Sequence, residues 1–220
     1  MSKKIIAILM CLTMSISFIG CSSKEKAEDT NKNQASVVEL TDDDLKGPWA
    51  TDFTLAKFNE KFDNILKSVE DKTKEYGLQY TEEEIAREEN EKYFYLENEG
   101  AEKNRLESMY FGRKIYGDDS SSGQITMKLL LNFDGEAAIK EQEFDFGSTS
   151  LAKYAEFFTE EKDRNYKKLN EQILEVLNSD NQEGIIKNQI NGLYEECTVT
   201  KTYIVYRLQT KKFNFTQPEQ

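Results

Sequence analysis

The spacing of apolar residues changes along the chain, and this spacing predicts which segments are helices and which are strands. From Thr54 to about Tyr76 apolar residues recur every three or four positions, the period of an amphipathic helix. Asp52 or Thr54 is placed to cap its first turn, and Gly77 to end it. The apolar stripe comprises Leu55, Phe58, Phe62, Ile65, Leu66, Val69 and Tyr76.

A second amphipathic stripe predicts another long helix, from Ser150 to about Asn178, with a polar middle over 159–165. Its opening resembles that of the first helix, since five of nine positions are identical between 54–62 and 150–158. This similarity indicates either a repeated helix-plus-sheet unit or two helix starts that independently use the same residue types.

Between these helices the apolar period changes to two, which is typical of strands. Asp134-Gly135 separates the last two runs and favours a tight hairpin, because both central residues of such a turn need positive φ. The sequence thus predicts a four-stranded antiparallel meander. Its strands are Tyr93 to Glu97, Leu106 to Tyr116, Ile125 to Phe133 and Ala137 to Phe146.

Three further segments complete the predicted fold. Residues 81–91 read either as a short helix or as an edge strand, 181–192 as a short helix, and 198–208 as a long strand. The fold class is therefore α+β, with two long amphipathic helices packed on an antiparallel meander sheet of five or six strands. Over roughly 54–146 this layout resembles cystatin-like and nuclear-transport-factor-like folds, and the resemblance is one of topology alone.

The first 20 residues have the composition of a secretory signal peptide. Lys3 and Lys4 form a positive head, and a run of about 15 apolar and small residues ends at Ile19. This run is shorter than the roughly 20 residues that a spanning helix needs. The segment is therefore predicted to direct export and then to be removed.

The end of this segment, Phe18-Ile19-Gly20-Cys21, resembles the lipobox of bacterial lipoproteins, with Phe18 where leucine is usual. The resemblance implies cleavage after Gly20 and a lipid anchor on Cys21. We expect residues 1–20 to be the signal peptide, 21–47 a lipidated, disordered polar tether, and 48–220 a single domain. The protein would sit on the extracytoplasmic face of the cell membrane. Lysine outnumbers arginine 24 to 5, which suggests a low-GC, Gram-positive source.

The cysteine and histidine content limits which disulfides, catalytic sites and metal sites the chain can form. Once Cys11 is removed and Cys21 lipidated, Cys197 stands alone, so no intrachain disulfide is expected and Cys197 is predicted to pack in the core. The chain contains no histidine, which argues against Ser-His-Asp catalysis and against common zinc or copper sites. We therefore expect a non-enzyme without catalytic residues, a bound metal or a cofactor.

The net charge of −12 argues against nucleic-acid binding, because an acidic surface repels phosphate. Adjacent acidic residues such as Glu88-Glu89, Glu160-Glu161 and Glu195-Glu196 are interpreted as parts of solvated faces rather than as catalytic pairs.

Aromatic residues offer the best candidate binding surface. Side chains alternate between faces along a strand, so Tyr93-Phe94-Tyr95 places rings on both faces of the sheet. One face would pack under the helices, and the other could present tyrosines to a partner unless helices cover it too. The candidate residues are Tyr93, Tyr95, Tyr110 and Tyr203, with Phe111, Tyr116 and Tyr206 as further possibilities.

These features favour a lipid-anchored binding or accessory protein. Its partners would be the membrane, through the lipid on Cys21, and a protein at the cell surface. Three alternatives stay open: a carboxylate-only hydrolase of cell-wall glycans, an immunity or inhibitor lipoprotein, and a pheromone precursor whose signal tail ends Ser17-Phe18-Ile19-Gly20.

Overall fold

The computed structural model describes residues 40–86 and 90–216, so the predictions for the signal peptide, for Gly20 and for Cys21 lie outside the described residues. The described residues form four α-helices and eight strands. The helices are α1 (Leu55–Glu75), α2 (Gly135–Glu141), α3 (Ser150–Thr159) and α4 (Lys167–Leu177). The strands are β1 (Thr81–Ala86), β2 (Asn90–Glu97), β3 (Arg105–Tyr116), β4 (Ser122–Asn132), β5 (Gly184–Ile190), β6 (Leu193–Val199), β7 (Tyr203–Thr210) and β8 (Phe213–Asn214).

The strands form one antiparallel sheet in the order β1-β2-β3-β4-β7-β6-β5, with β8 paired to the start of β4. The α+β class and the antiparallel pairing are confirmed, and the sheet has more strands than predicted. Helix α1 precedes the meander β2–β4, helices α3 and α4 precede the meander β5–β7, and the two meanders meet through β4 and β7. This arrangement agrees with a repeated helix-plus-sheet unit, which stays a hypothesis.

The helices pack on one face of the sheet and enclose the core there. From Gly123 on β4 and from Ile204 on β7, residues alternate between buried and half-buried positions. On the helix side Phe62 stacks on Phe111 with ring centroids 5.0 Å apart, and Phe158 contacts both Phe111 and Trp49 edge-on. The described helices thus leave the opposite face of the sheet open. None of them is long and apolar enough to cross a membrane.

Helix α1 agrees with its prediction. The Thr54 side chain accepts a hydrogen bond from the Lys57 amide, and Gly77 follows the helix with a φ of +69°. That left-handed conformation suits glycine, which lacks the Cβ that would clash.

Where one long helix was predicted from Ser150 to Asn178, the structure has the two shorter helices α3 and α4. Helix α3 ends at Thr159, and the next residue, Glu160, adopts the left-handed conformation with a φ of +57°. The polar segment 160–166 contributes too few apolar side chains to continue the stripe, and it instead brings Arg164 against the sheet.

The predicted strand Ala137 to Phe146 is wrong, since its first part belongs to helix α2. The Asp134 carboxylate accepts a hydrogen bond from the Ala137 amide at 3.1 Å, so Asp134 caps a helix instead of starting a hairpin turn. Gly135 is required there for another reason: a Cβ would lie 2.7 Å from the Lys201 backbone. Asp134 is thus explained by its role as a helix cap, and Gly135 by its close approach to the Lys201 backbone.

Two C-terminal predictions also fail. The predicted short helix over 181–192 is strand β5, which pairs with β6 along its whole length. The predicted single strand over 198–208 is interrupted by a turn between β6 and β7, where the Thr200 hydroxyl accepts a hydrogen bond from the Tyr203 amide at 3.1 Å. The open alternative at 81–91 resolves toward a strand, because 81–86 form β1.

The segment before α1 packs against the turn between β5 and β6. The Trp49 amide donates to the Asn191 carbonyl at 3.0 Å, and the Trp49 ring is fully buried. Leu45 is also buried. The Tyr194 hydroxyl bonds the Asp42 carboxylate at 2.5 Å, so packing contacts already begin at Asp42.

Candidate functional site: the open face of the sheet

The face of the sheet opposite the helices, here called the open face, is the candidate functional site. Its central side chains come from four neighbouring strands, β2, β3, β4 and β7, and are mostly half-buried. Because these strands are hydrogen-bonded to each other, the side chains are held at fixed spacings of about 4.8 Å between strands. The central residues are Tyr93 and Tyr95 on β2, Tyr110 on β3, Lys128 and Leu130 on β4, and Val205 and Arg207 on β7.

Three of the four predicted tyrosines lie together. Tyr95 is directly opposite Tyr110, and Tyr93 stacks on Tyr110 with ring centroids 5.7 Å apart. The Tyr110 hydroxyl donates a hydrogen bond to the Glu91 carboxylate at 2.6 Å. Stacking and hydrogen bond fix the ring, so the tyrosines form a rigid aromatic surface.

Gly112 makes room for this arrangement. A Cβ at Gly112 would lie 2.3 Å from the Tyr110 hydroxyl oxygen, because the Tyr110 ring lies along its own strand over the glycine. Gly112 is paired with Tyr93 on one side and Thr126 on the other. The glycine thus lets an aromatic ring cover the backbone at the centre of the tyrosine group.

The hydroxyls of Tyr110 and Tyr95 are poor acids in this setting. Burial, reinforced by the neighbouring Glu91, raises the pKa of Tyr110 far above its ordinary value, and burial likewise raises the pKa of Tyr95. Both therefore stay protonated near neutral pH and act as neutral hydrogen-bonding groups rather than as general bases.

The other predicted aromatics are distributed differently. Tyr203 is on the open face but at the start of β7, four residues from Arg207, and is 40% exposed. Tyr206 and Phe111, which were considered for the same surface, are fully buried on the helix side. Alternation along each strand explains this, since an offset of one residue reverses the face.

Lys128 and Arg207 also belong to the open face, although the sequence pattern indicated only aromatic residues there. They face each other across β4 and β7, and Lys128 is also directly opposite Tyr110. Alternation places each of them outward from its apolar neighbours. Their pairing depends on β4 meeting β7, two strands separated in sequence by helices and two other strands, which local patterns do not predict.

The electrostatics of this pair are unfavourable. Burial and the nearby Arg207 guanidinium lower the pKa of Lys128 below its ordinary value, and Glu196 opposes this only weakly. Glu196 Oε1 is 3.9 Å from Arg207 Nη1, while Arg207 Nε is buried without a hydrogen-bond partner among the described residues. The described part of the protein thus leaves this positive centre poorly compensated.

A second polar cluster lies on the helix side and has a structural role. Glu195, predicted to be solvated, is only 2% exposed and accepts two hydrogen bonds from Arg164, at 2.5 and 3.0 Å. The Tyr206 hydroxyl bonds the same carboxylate. A carboxylate held by a bidentate guanidinium is fixed in position, so this cluster fastens segment 160–166 to β6 and β7.

A groove of about 480 Å³ lies between α1 and α3, with Ile65 and Phe157 in its lining. Two carboxylates of α3, Glu156 and Glu160, also line it. Each already pairs with a lysine, Glu156 with Lys153 at 3.1 Å and Glu160 with Lys61. The groove therefore gives no support to a carboxylate acid and base working as a pair.

Within 40–86 and 90–216, no group of three His, Cys, Asp or Glu side chains is placed to hold a metal ion. Cys197 is fully buried, as predicted, and burial raises the pKa of its thiol. The chain matches no family model, no curated protein and no solved structure. The open face is therefore interpreted from its own chemistry.

Proposed function

We propose that this chain is a lipid-anchored, extracytoplasmic binding protein that engages a partner protein through the open face of its sheet. The observation that carries the proposal is the group formed by Tyr93, Tyr95 and Tyr110 beside Lys128 and Arg207. The core contacts between the sheet and helices α1 and α3 lie on the opposite face of the sheet from this group.

The composition of the open face suits protein recognition. Tyrosine and arginine are enriched where protein interfaces are buried, and they supply most of the binding energy at such sites. Apolar contact area is also present, since Leu130 on β4 is directly opposite Val205 on β7. Aromatic, cationic and apolar side chains thus adjoin one another near the centre of the sheet.

The surface is also preorganised. The Tyr110 ring is held by Tyr93 and Glu91, and the strands beneath it are central in the sheet. A rigid surface loses little conformational entropy when a partner binds, which favours affinity. An immunity or inhibitor protein, one of the alternatives from the sequence, is a special case of this function in which the partner is a toxin or an enzyme.

The anchor half of the proposal rests on Cys21 and the lipobox-like residues before it. On the N-terminal side of α1, Asp42 contacts Tyr194, which lies on the open face of the sheet. Changing Cys21 to Ser should move the protein from the membrane fraction to the soluble fraction of fractionated cells. Membrane retention of this variant would contradict the anchor.

The binding half is tested by crosslinking the lipidated protein on intact cells and identifying captured proteins by mass spectrometry. A specific partner should be lost in the variant Tyr95→Ala. The matched control is Tyr76→Ala, since Tyr76 is 41% exposed at the end of α1, away from the open face. Equal capture by both variants would place the binding surface elsewhere and overturn the proposal.

A further inference from the structure

Lys128 and Arg207 form a like-charge pair that the fold does not need. Directly opposite residues on antiparallel strands have Cβ atoms about 5 Å apart, and like charges there destabilise a sheet. Among the described residues Lys128 makes no hydrogen bond and no ion pair within 4 Å, and Arg207 reaches only Glu196, at 3.9 Å. The pair therefore destabilises the fold, and no close ion pair among the described residues offsets this repulsion.

The location makes this pair more unusual. The chain carries a net charge of −12, so a lysine or an arginine placed elsewhere on its surface would readily find acidic side chains to pair with. Yet the two cations lie side by side near the middle of the sheet, half-buried between tyrosines and Glu196. Residues that break a local rule of stability are commonly those that serve function.

We propose that Lys128 and Arg207 form a carboxylate-binding site, which receives an acidic side chain of the partner protein. The inference rests on the proposed function and deepens it by naming what the partner presents. A guanidinium donates two parallel hydrogen bonds to a carboxylate, and the lysine ammonium adds a second positive charge. Binding would also relieve the repulsion between the two cations.

The neighbouring positions define the rest of the recognised segment. Two residues along the same strands, Leu130 and Val205 form an apolar cross-strand pair. A step of two residues in an extended chain spans about 6.8 Å, and both side chains point to the same side. An extended partner segment with an acidic residue and an apolar residue two positions apart therefore fits the two pairs together.

The test uses a chain that begins after Cys21 and titrates it with the peptide acetyl-Asp-Thr-Val-amide, with binding monitored by NMR. Its matched control is acetyl-Asn-Thr-Val-amide, which keeps the shape and removes the charge. We expect the Asp peptide to bind at least about tenfold more tightly and to shift the methyl resonances of Leu130 and Val205. Equal affinities, shifts confined to another surface, or no shift at millimolar peptide would overturn the inference.

Variants assign the site. Lys128→Gln and Arg207→Gln should each lower the affinity for the Asp peptide at least about tenfold. Lys187→Gln, which changes an exposed lysine of β5, should leave that affinity unchanged. The two site variants remove a repulsion, so their thermal unfolding should confirm that they fold. Inorganic phosphate serves as a second probe: tighter binding of phosphate than of the Asp peptide would assign a phosphate ligand and overturn the carboxylate.

Failure of this inference is distinguishable from failure of the proposed function. If crosslinking still captures a partner with Lys128→Gln/Arg207→Gln but not with Tyr95→Ala, the carboxylate site is wrong and the open face remains the binding surface. If Tyr95→Ala also captures the partner, the proposed function itself is wrong.

Discussion

The Tyr206 hydroxyl donates a hydrogen bond to Glu195 Oε1 at 2.5 Å, in the core beneath segment 160–166. Arg164 completes the cluster with two bonds to the same carboxylate. Changing Glu195 to Gln removes the charge that compensates the guanidinium. We expect a loss of about 3–5 kcal/mol in the free energy of unfolding, measured by chemical denaturation.

The adjacent Glu196 provides the control, since its side chain is partly exposed and 3.9 Å from Arg207. Glu196→Gln should change stability by no more than about 0.5 kcal/mol. The double variant Arg164→Met/Glu195→Leu should recover part of the loss, because it leaves neither charge buried alone. A Glu195→Gln protein as stable as Glu196→Gln would contradict the structural role of the cluster.

Tyr110 and Gly112 should be energetically coupled. Gly112→Ala places a methyl group where the Tyr110 hydroxyl lies, and this ring is held by Tyr93 and Glu91. We expect the single change to reduce the free energy of unfolding by about 1–3 kcal/mol. In Tyr110→Ala the same change should be nearly neutral, because the clash is gone.

A double-mutant cycle in denaturant measures this coupling. Additive effects of the two substitutions would show that Tyr110 does not lie over Gly112. The result bears on the open face directly, since the position of the Tyr110 ring defines its aromatic surface.

The helix-side core supports a third stability prediction. Phe62 and Phe158 are fully buried and both contact the Phe111 ring. Truncation of either to alanine should lower the free energy of unfolding by about 3–5 kcal/mol. Ile185→Thr is the control, because Ile185 is 56% exposed and should change stability by less than about 0.5 kcal/mol. Similar unfolding midpoints for all three variants would refute the placement of the two phenylalanines.

Local patterns predicted what depends on local chemistry. The stripe and the Thr54 cap located α1, and alternation placed Tyr93 and Tyr95 on one face with Phe94 on the other. One error arose where one dipeptide serves two structures. Asp134-Gly135 suits a hairpin, yet the Asp134 cap and the close approach of Gly135 to Lys201 fixed a helix.

The candidate site was predicted only in part for a related reason. Three tyrosines share one hairpin, β2–β3, so their proximity follows from short-range pairing. Lys128 and Arg207 meet only because two distant meanders join through β4 and β7. Likewise, the burial of Glu195 depends on Arg164 from the segment after α3, so its sequence neighbour Glu196 gave no indication of it.

Cys197 should be chemically inert in the folded protein. Its side chain is fully buried, and burial raises the pKa of the thiol, so little thiolate forms near neutral pH. In a chain that begins after Cys21, a thiol reagent such as DTNB should react only after denaturant is added. Rapid reaction of the native protein would show that the β6 core opens to solvent.

The last prediction concerns Lys128 and pH. Its pKa is lowered in the folded state, because burial and Arg207 disfavour the ammonium. The unfolded chain therefore binds more protons than the folded one between the folded pKa and the ordinary value, and stability contributed by this group rises with pH there. Below that range the charged Lys128 destabilises the fold.

Lys128→Gln should consequently be more stable than the parent protein near neutral pH, by about 0.2–1 kcal/mol. This advantage should shrink as pH rises toward the ordinary lysine pKa, since the parent then loses its unfavourable charge. Lys187→Gln, on exposed β5, should show no such trend. Denaturant unfolding of the three proteins across alkaline pH measures the difference. A constant advantage would mean that Lys128 is not repelled by Arg207, and the argument for an anion between them would lose its physical basis.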